Sequence, residues 1–173
     1  MKKIIVLAAI IVAGFSHDSI AQTAGKSITL PFWVSNSFQR DFQNAKNVSW
    51  EEIDGTYVAT FSARRNQAMA YYQNDGKLVG IGRPVNADDL PEEIMKNFVK
   101  RYRDYTIQKA VEYSPSLIIT GNSEKENSLG IYPDTEGTLY FLHVENAQSE
   151  KILKVPTLGT IEVLKNIKKR NRS

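Results

Sequence analysis

Few side chains in this 173-residue sequence have the types and spacing that a reaction needs. There is no cysteine, which excludes thiol chemistry, disulfides and lipid attachment to a cysteine. Beyond the N-terminal apolar segment the one histidine is His143, in LYFLHVEN. An imidazole there could act as a base or a metal ligand, but its position on one face with Leu139 and Phe141 favours a half-buried strand residue. A metal site needs several ligands, so this histidine by itself predicts none.

Carboxylates are the next candidates, because a glycosidase needs two of them facing one substrate. Glu51 and Glu52 are adjacent, and adjacent strand residues point to opposite faces. The acidic residues within 88–93 are explained by helix capping and the helix dipole. Four others could hold calcium weakly, but they lack the spacing of a calcium loop: Glu124, Glu126, Asp134 and Glu136. No serine lies in GxSxG, so we predict no catalytic residue, no cofactor and no metal.

Aromatic residues are the remaining signal. Tyr71 and Tyr72 are adjacent, so a strand places them on opposite faces, and we expect one of them to be outside. Aromatic side chains anchor protein interfaces, although most of those in this chain are expected to fill the core. The candidate partner-binding residues are Trp50, Tyr57, Tyr71, Tyr72 and Tyr140.

The N-terminal segment has the features of a secretory signal. Lys2 and Lys3 precede the almost wholly apolar stretch 4–14, and Ser19-Ile20-Ala21 offers small residues at the cleavage positions. A membrane-spanning helix needs about 20 apolar residues, more than this stretch has. We therefore predict residues 1–21 to be a signal peptide cleaved near Ala21, no membrane span, and a periplasmic or secreted protein.

The C-terminal end is basic, and residues 165–173 are predicted to form a tail. Its cations are Lys165, Lys168, Lys169, Arg170 and Arg172. Without these and the charges of the signal, 15 basic and 18 acidic residues remain, so the rest of the chain is mildly acidic. A solvated, frayed terminus explains the tail, and an anionic surface is the alternative. Nucleic acid is not expected, because no nucleic-acid fold signature accompanies the charge.

The elements that must position these residues begin after a lead-in at 22–35. Ser35 or Ser37 is expected to cap a short helix with Phe38, Phe42 and Ala45 on its apolar side. Four strands follow, and hairpin turns are predicted at Asp54-Gly55, at Arg64-Arg65-Asn66 and at Asn74-Asp75-Gly76. A helix on a four-stranded antiparallel meander buries one face of the sheet. Gly80 and Gly82 alternate in the fourth strand, which indicates close backbone packing.

A second helix is predicted from about Asp89 to Tyr105, with Asp88 or Asp89 as the cap and Glu92 completing a capping box. Glu92 and Lys96 are spaced for a favourable pair. Strands are then predicted at 106–113, 117–120, 138–145, 151–155 and 160–164, with a polar loop at 121–130. Helix and strands thus occur twice in one order, which indicates an α+β tandem repeat with units at 36–86 and 87–164.

Four segments carry a resemblance to a known family: AKNVSWEEIDGTYVATF, YYQNDGKLVG, DLPEEIMKNFVKRY and LKVPTLGTIEVLK. They resemble the exported bacterial PepSY-like proteins, whose two units are similar to the tandem fold of beta-lactamase-inhibitor protein. The likeness covers about 36–165, and its motifs are structural. It implies a periplasmic or secreted, non-enzymatic binding protein, with inhibition of a peptidase as one such role. From the repeat, the export signal and the missing catalytic residues, we expect an open sheet face that binds another exported or envelope protein.

Two other functions stay open on the sequence. An envelope-associated structural protein would use its basic tail to attach to an anionic surface. A carboxylate-dependent hydrolase acting on envelope polymers rests only on the acidic clusters and the export signal.

Overall fold

The computed structural model describes residues 28–63, 66–115, 137–157 and 160–169. Within these ranges the chain forms two α-helices, one short 3-10 turn (Ala87–Asp89) and eight strands. The helices are α1 (Phe32–Asp41) and α2 (Glu92–Arg101). The strands are β1 (Lys46–Ile53), β2 (Thr56–Ala63), β3 (Asn66–Tyr72), β4 (Leu78–Val85), β5 (Thr106–Pro115), β6 (Leu139–Glu145), β7 (Ser149–Pro156) and β8 (Glu162–Lys168). The predicted signal peptide, strand 117–120 and loop 121–130 lie outside the described residues.

All eight strands belong to one antiparallel sheet, in which they follow one another in chain order from β1 to β8. α1 precedes β1, and α2 lies between β4 and β5. β4 pairs directly with β5, with Gly82 opposite Tyr113 and Val85 opposite Ala110, so the sheet is continuous across the chain. The fold is therefore a mixed α/β architecture with a single eight-stranded sheet. No helix in the described ranges is long and apolar enough to cross a membrane.

The turn predicted at Asp54-Gly55 is confirmed. Ile53 pairs with Thr56, so the hairpin loop has two residues, and both have positive φ, 50° at Asp54 and 77° at Gly55. A type I′ turn requires this combination because its backbone twist matches that of the flanking strands. The aspartate tolerates the left-handed region and the glycine has no Cβ to oppose it.

Both helices start at a different residue from the one predicted. α1 begins at Phe32, before Ser35 and Ser37, and Pro31 is its N-cap. α2 begins at Glu92 after Pro91, and Asp89 ends the preceding 3-10 turn without capping the helix. In each case a proline, whose φ is already fixed near the helical value and which has no N–H to satisfy, starts the helix without a side-chain cap.

α2 is also shorter than predicted. It ends at Arg101, because Tyr102 leaves the helical conformation with φ −127° and ψ 45°. The N–H of Tyr105 then donates to the carbonyl of Tyr102 in a turn. The pair expected between Glu92 and Lys96 does not form, and Lys96 lies 4.0 Å from Glu93 instead.

Both faces of the sheet carry apolar cores. On the helix side α1 packs on β1–β4 and α2 packs on β5–β7. The α1 core is built on Val34, Phe38, Phe42, Tyr57, Ala59, Phe61, Ala70 and Tyr72. On the other side, the helix-free face, a third core runs across β2, β3 and β5–β7. Its buried members are Val58, Met69, Tyr71, Val111, Tyr113, Phe141 and Ile152. Strand alternation explains this, because Val58 and Tyr57 point to opposite faces.

Candidate functional site

Four of the five aromatic residues predicted to bind a partner are buried. Tyr71 and Tyr72 are fully buried, and Tyr57 and Tyr140 are 8% and 7% exposed. The expectation that either Tyr71 or Tyr72 would be outside is therefore wrong. The two do point to opposite faces, as predicted, but both faces carry a core. Trp50 keeps a partly exposed side chain, which packs on Phe38 with 5.1 Å between ring centroids.

The structure does not bring these five residues together. Trp50, Tyr57 and Tyr72 belong to the α1 core, Tyr140 belongs to the α2 core, and Tyr71 lies on the helix-free face. Whether any of them contacts a partner stays a prediction.

Tyr72 joins α1 to the sheet. Its hydroxyl donates a hydrogen bond of 3.1 Å to the carboxylate of Asp41, the last residue of α1. Burial raises the pKa of Tyr72, and the nearby Asp41 carboxylate raises it further, because both disfavour a phenolate. The phenol thus acts as a protonated donor that fixes the end of the helix.

The helix-free face is closed by two tyrosine rings that lie over glycines of β4. A Cβ on Gly80 would lie 2.6 Å from Cε2 of Tyr113, and one on Gly82 would lie 3.1 Å from the hydroxyl of Tyr71. The Tyr113 hydroxyl donates to the carbonyl of Val79 at 3.2 Å, and burial raises the pKa of both phenols. The close packing predicted for the two glycines is confirmed.

His143 lies on the helix-free face, half-buried in β6 as predicted. Its Nε2 is 3.4 Å from the carboxylate of Glu150 on β7, and its Nδ1 is buried without a hydrogen-bond partner. Across the strands it stands opposite Lys109 and Ile152. In the part of the chain that the structure describes, no group of three or more histidine, aspartate or glutamate side chains could hold a metal ion. The four carboxylates considered for calcium, at 124–136, lie outside that part.

One polar cluster escaped the sequence analysis. Tyr105, in the turn after α2, contacts Ser149 through their hydroxyls at 2.7 Å and receives a hydrogen bond from the Lys151 ammonium. Lys151 also donates to Ser149 Oγ at 3.1 Å and lies 4.3 Å from the Tyr105 ring centroid. The hydrogen bond from Lys151 lowers the pKa of the Tyr105 phenol, with Ser149 contributing. The Ser-x-Lys spacing in β7 is the one signal that could have drawn attention to it.

Serine, lysine and tyrosine in contact are the residue types of a nucleophile and its base. Here, however, the backbone N–H of Ser149 already donates to the Asn146 side chain at 2.8 Å, so this N–H is not free to stabilise an oxyanion. The cluster instead fixes the connection between α2 and β5 onto the start of β7.

The predicted basic tail begins inside the sheet. β8 continues through Lys168, and Lys165 pairs with Ile152 of β7, so the expectation of a frayed terminus from residue 165 is wrong for 165–168. Backbone pairing with β7 orders these residues. Lys165 and Lys168 are exposed, whereas Lys169 is paired with Glu145 at 2.9 Å. Arg170 and Arg172 lie outside the described residues, and binding of the tail to an anionic surface stays a prediction.

The largest exposed aromatic group lies at the start of α1. Phe32 is 67% exposed and Trp33 is 64% exposed, and their rings meet edge to face with 5.3 Å between centroids. The backbone of Trp33 packs closely on the turn before β4, since a Cβ on Gly76 would lie only 2.8 Å from the Trp33 carbonyl carbon. Gly76 has a φ of 80°. The sequence analysis had placed both aromatics in an apolar lead-in and assigned them no role.

Comparison with known proteins gives a fold and no activity. Neither a protein-family model nor a curated protein matches the sequence. Solved structures from Bacteroides species are similar to it. A BLIP-like protein of Bacteroides fragilis has a TM-score of 0.58 at 14% identity, and the match covers 86% of this chain and 94% of that one.

Two further solved structures are similar in fold to this chain. A DUF2874 family protein of Bacteroides ovatus has a TM-score of 0.58 at 17% identity, over 82% of this chain and 89% of that one. A protein of Bacteroides eggerthii, named as a proposed periplasmic protein, has a TM-score of 0.59 at 15% identity, over 82% and 90%. The chain therefore has a fold similar to that of BLIP-like and DUF2874 proteins.

Proposed function

We propose that this chain is an exported, non-catalytic protein that binds another exported or envelope protein. The observation that carries the proposal is the exposed pair Phe32 and Trp33 on the first turn of α1. Large aromatic side chains on a fixed backbone lose little conformational entropy when they are covered, and they are frequent among interface hot spots. The likeness to a BLIP-like protein, whose name refers to an inhibitor, supports the same class.

The proposed contact surface is the start of α1, and not the sheet face that the sequence had suggested. The helix-free face is closed by Tyr71 and Tyr113 over the glycines of β4, so its aromatics are not free to receive a partner. α1 instead presents two aromatics to solvent while Val34, Phe38 and Phe42 hold it on the sheet. Inhibition of a peptidase is one form that such binding would take.

We also propose that the chain has a signal peptide and two repeated units, as expected for an exported binding protein of this fold. A signal peptide ending near Ala21 would export the chain, and two units at 36–86 and 87–164 would derive from one PepSY-like ancestor. Each unit has one helix followed by strands, and Phe38 and Phe98 are buried at corresponding positions of α1 and α2. The common helix-to-sheet packing supports a duplication.

The test starts with capture of a partner from an envelope extract and continues with the purified partner. Affinity is measured for the wild-type chain, for a variant with Phe32→Ala and Trp33→Ala, and for Val99→Ala. Val99 is 52% exposed on α2 and is the matched control. Loss of an aromatic hot spot costs roughly 2 kcal/mol or more, so we expect at least a tenfold weaker complex for the double variant and no change for the control.

Two results would contradict the proposal. One is a partner that binds the double variant as tightly as it binds the wild type. The other is turnover of a substrate by the purified chain that is lost in Ser149→Ala or Lys151→Ala, because that would make the polar cluster a catalytic centre.

A further inference from the structure

The two outer strands of the sheet each have a free edge. Among the described strands β1 has β2 as its single neighbour and β8 has β7, so each presents a row of unpaired backbone groups. The described ranges contain six large apolar side chains that are exposed, and three of them lie on these strands: Val48 on β1, and Val163 and Ile167 on β8. Natural proteins usually protect such edges against pairing with another chain. The residues along the two edges therefore indicate whether such pairing is favoured here.

The last residues of the two edge strands carry opposite charge, while an exposed Lys46 begins β1. Glu51 and Glu52 lie near the end of β1, and Lys165 and Lys168 lie near the end of β8. All four side chains are exposed, and in the described part of the chain none has an ion pair or a side-chain hydrogen bond. Each edge therefore presents charges that its own chain leaves uncompensated.

On each face of the sheet, one edge carries a glutamate and the other edge carries a lysine. Glu51 pairs with Val58 and Lys165 pairs with Ile152, so both point to the helix-free face. On the helix side, Glu52 pairs with Tyr57 of the α1 core. Lys168 is on that side too, because it pairs with Ser149, which touches Tyr105 after α2.

The strand count determines how two copies would meet. In a sheet of eight strands in chain order, the first and last strands run in opposite directions. A second copy in the same orientation therefore brings its β8 antiparallel to β1, with all helices on one side. Antiparallel pairing of this kind is the more stable arrangement of two edges.

We propose that β8 of one copy pairs with β1 of the next, as a head-to-tail interface between copies of this chain. The register that places Ile53 opposite Lys165 uses the regular parts of both strands, since the bulges lie at 46–49 of β1 and before Lys165 of β8. Glu51 then faces Ile167 and Glu52 faces Asn166, and each carboxylate has a lysine of its own face as a diagonal neighbour.

Pairing of two β8 edges is disfavoured by the same charges. Two antiparallel β8 strands in full register place Lys165 opposite Lys165, which destabilises a cross-strand pair. A head-to-tail contact is heterologous, so each added copy leaves one β1 and one β8 edge free. The inference does not depend on Phe32 and Trp33.

The experiment measures the mass of the purified chain by sedimentation at increasing concentration and low ionic strength. We expect the average mass to rise with concentration and to fall again with added salt, because salt screens exposed charges. The variants E51K/E52K and K165E/K168E each make the two edges alike, so each should associate at least about tenfold more weakly than the wild type.

An equimolar mixture of the two variants restores opposite charges at every interface, so its association should recover. The control K96E/K100E reverses two exposed lysines of α2 and should associate like the wild type. Circular dichroism of each variant shows that the sheet is intact.

Three results would overturn the inference. The wild type could sediment as a single chain at the highest concentration, either charge-reversed variant could associate like the wild type, or the mixture could stay monomeric. Loss of association in the α2 control would overturn it as well, because it would show a general effect of net charge.

Discussion

At the scale of single residues, the glycines of β4 determine the shape of the helix-free face. Gly80 and Gly82 leave room for the rings of Tyr113 and Tyr71, which lie across the strand and bury it. A glycine in a strand weakens the strand by itself, and here the aromatic rings restore the lost packing. The alternating glycines predicted close packing, and the structure identifies the rings of Tyr113 and Tyr71 as the groups that pack there.

We expect Gly80→Ala to lower the free energy of unfolding by about 1–3 kcal/mol, the usual cost of overpacking a buried site. The new methyl would lie 2.6 Å from Cε2 of Tyr113, and that ring has little space to move, being 2% exposed. Urea denaturation measures the change. In the background of Tyr113→Ala the same substitution should cost much less, since the ring it meets is gone.

Gly55→Ala is the matched control for this pair. Nothing lies within 4 Å of its Cβ position, but its φ of 77° strains any other residue, so it should cost about 1 kcal/mol. That cost should be the same with and without Tyr113. A coupling between Gly55 and Tyr113 as large as that of Gly80 would contradict the packing argument.

The buried phenols make stability depend on alkaline pH. The pKa values of Tyr71, Tyr72 and Tyr113 are raised by burial above the ordinary value of about 10. Above that pH the unfolded chain releases these protons and the folded chain retains them, so stability falls by about 1.4 kcal/mol per pH unit for each phenol. Phenolate absorbance and circular dichroism, followed together, should show these tyrosines ionising only as the chain unfolds.

Tyr105 should behave in the opposite way. Its pKa is lowered by the hydrogen bond from Lys151, so in the folded chain it should ionise before the other tyrosines and without loss of sheet. Lys151→Met should abolish this early step. An early phase of unchanged size in that variant would contradict the assignment.

Sequence reasoning identified the aromatics and misjudged where they lie. It treated the sheet as having one core, whereas Tyr71 and Tyr72 each face a core of their own. It missed Tyr105 and Ser149 because they are 44 positions apart and meet only through the fold. Contacts of this kind depend on how a loop lies on a distant hairpin, and no local pattern contains that information.

At the scale of elements, α1 combines two opposite surfaces. Its first turn exposes Phe32 and Trp33, whereas Val34 in the same turn and Phe38 one turn later are buried. Phe38 is the centre of the aromatic packing, with ring contacts to Phe42, Trp50, Phe61 and Tyr72. The apolar spacing predicted the burial of Phe38 and Phe42, but the helix ends at Asp41, so Phe42 and Ala45 follow it. The starting residue was wrong because a proline took the place of the expected serine cap.

We expect Phe38→Ala to destabilise the chain by about 3–5 kcal/mol, since it removes the ring on which the α1 core converges. Phe32→Ala, in the same helix, should change stability by no more than about 0.5 kcal/mol because its ring is exposed. Thermal or urea unfolding of the two variants gives both values. Similar losses for the two would show that Phe32 is covered by another part of the chain.

At the scale of the whole molecule, the sheet joins the segments that carry α1 and α2. The joining pair is β4 and β5, where Arg83 and Glu112 form an ion pair of 2.9 Å and Tyr140 approaches the same carboxylate at 3.5 Å. The sequence predicted most of the strands on both sides of the β4–β5 pair. It could not show that the sheet is continuous, because the two strands are separated by α2 and carry no pattern that requires them to pair.

A continuous sheet predicts one cooperative unfolding transition. Phe38→Ala in the α1 core and Phe98→Ala in the α2 core should each lower the midpoint of the same transition. Trp50 fluorescence reports on the α1 core, and far-ultraviolet circular dichroism reports on the whole sheet. If Phe98→Ala shifted the dichroism and left the fluorescence midpoint unchanged, the two halves would be separate folding units.

The strand order has a consequence for how the chain reaches its folded state. Each described strand pairs with the described strand that precedes it in the chain. Most connections are short turns, and the two longer ones, before and after β5, add little to the entropic cost of closure because that cost grows slowly with length. β1 to β4 can pair with α1 on them before β5 has been delivered. A polypeptide that emerges end first through a narrow channel can therefore be folded in the order in which it arrives, with no early strand waiting for a late one.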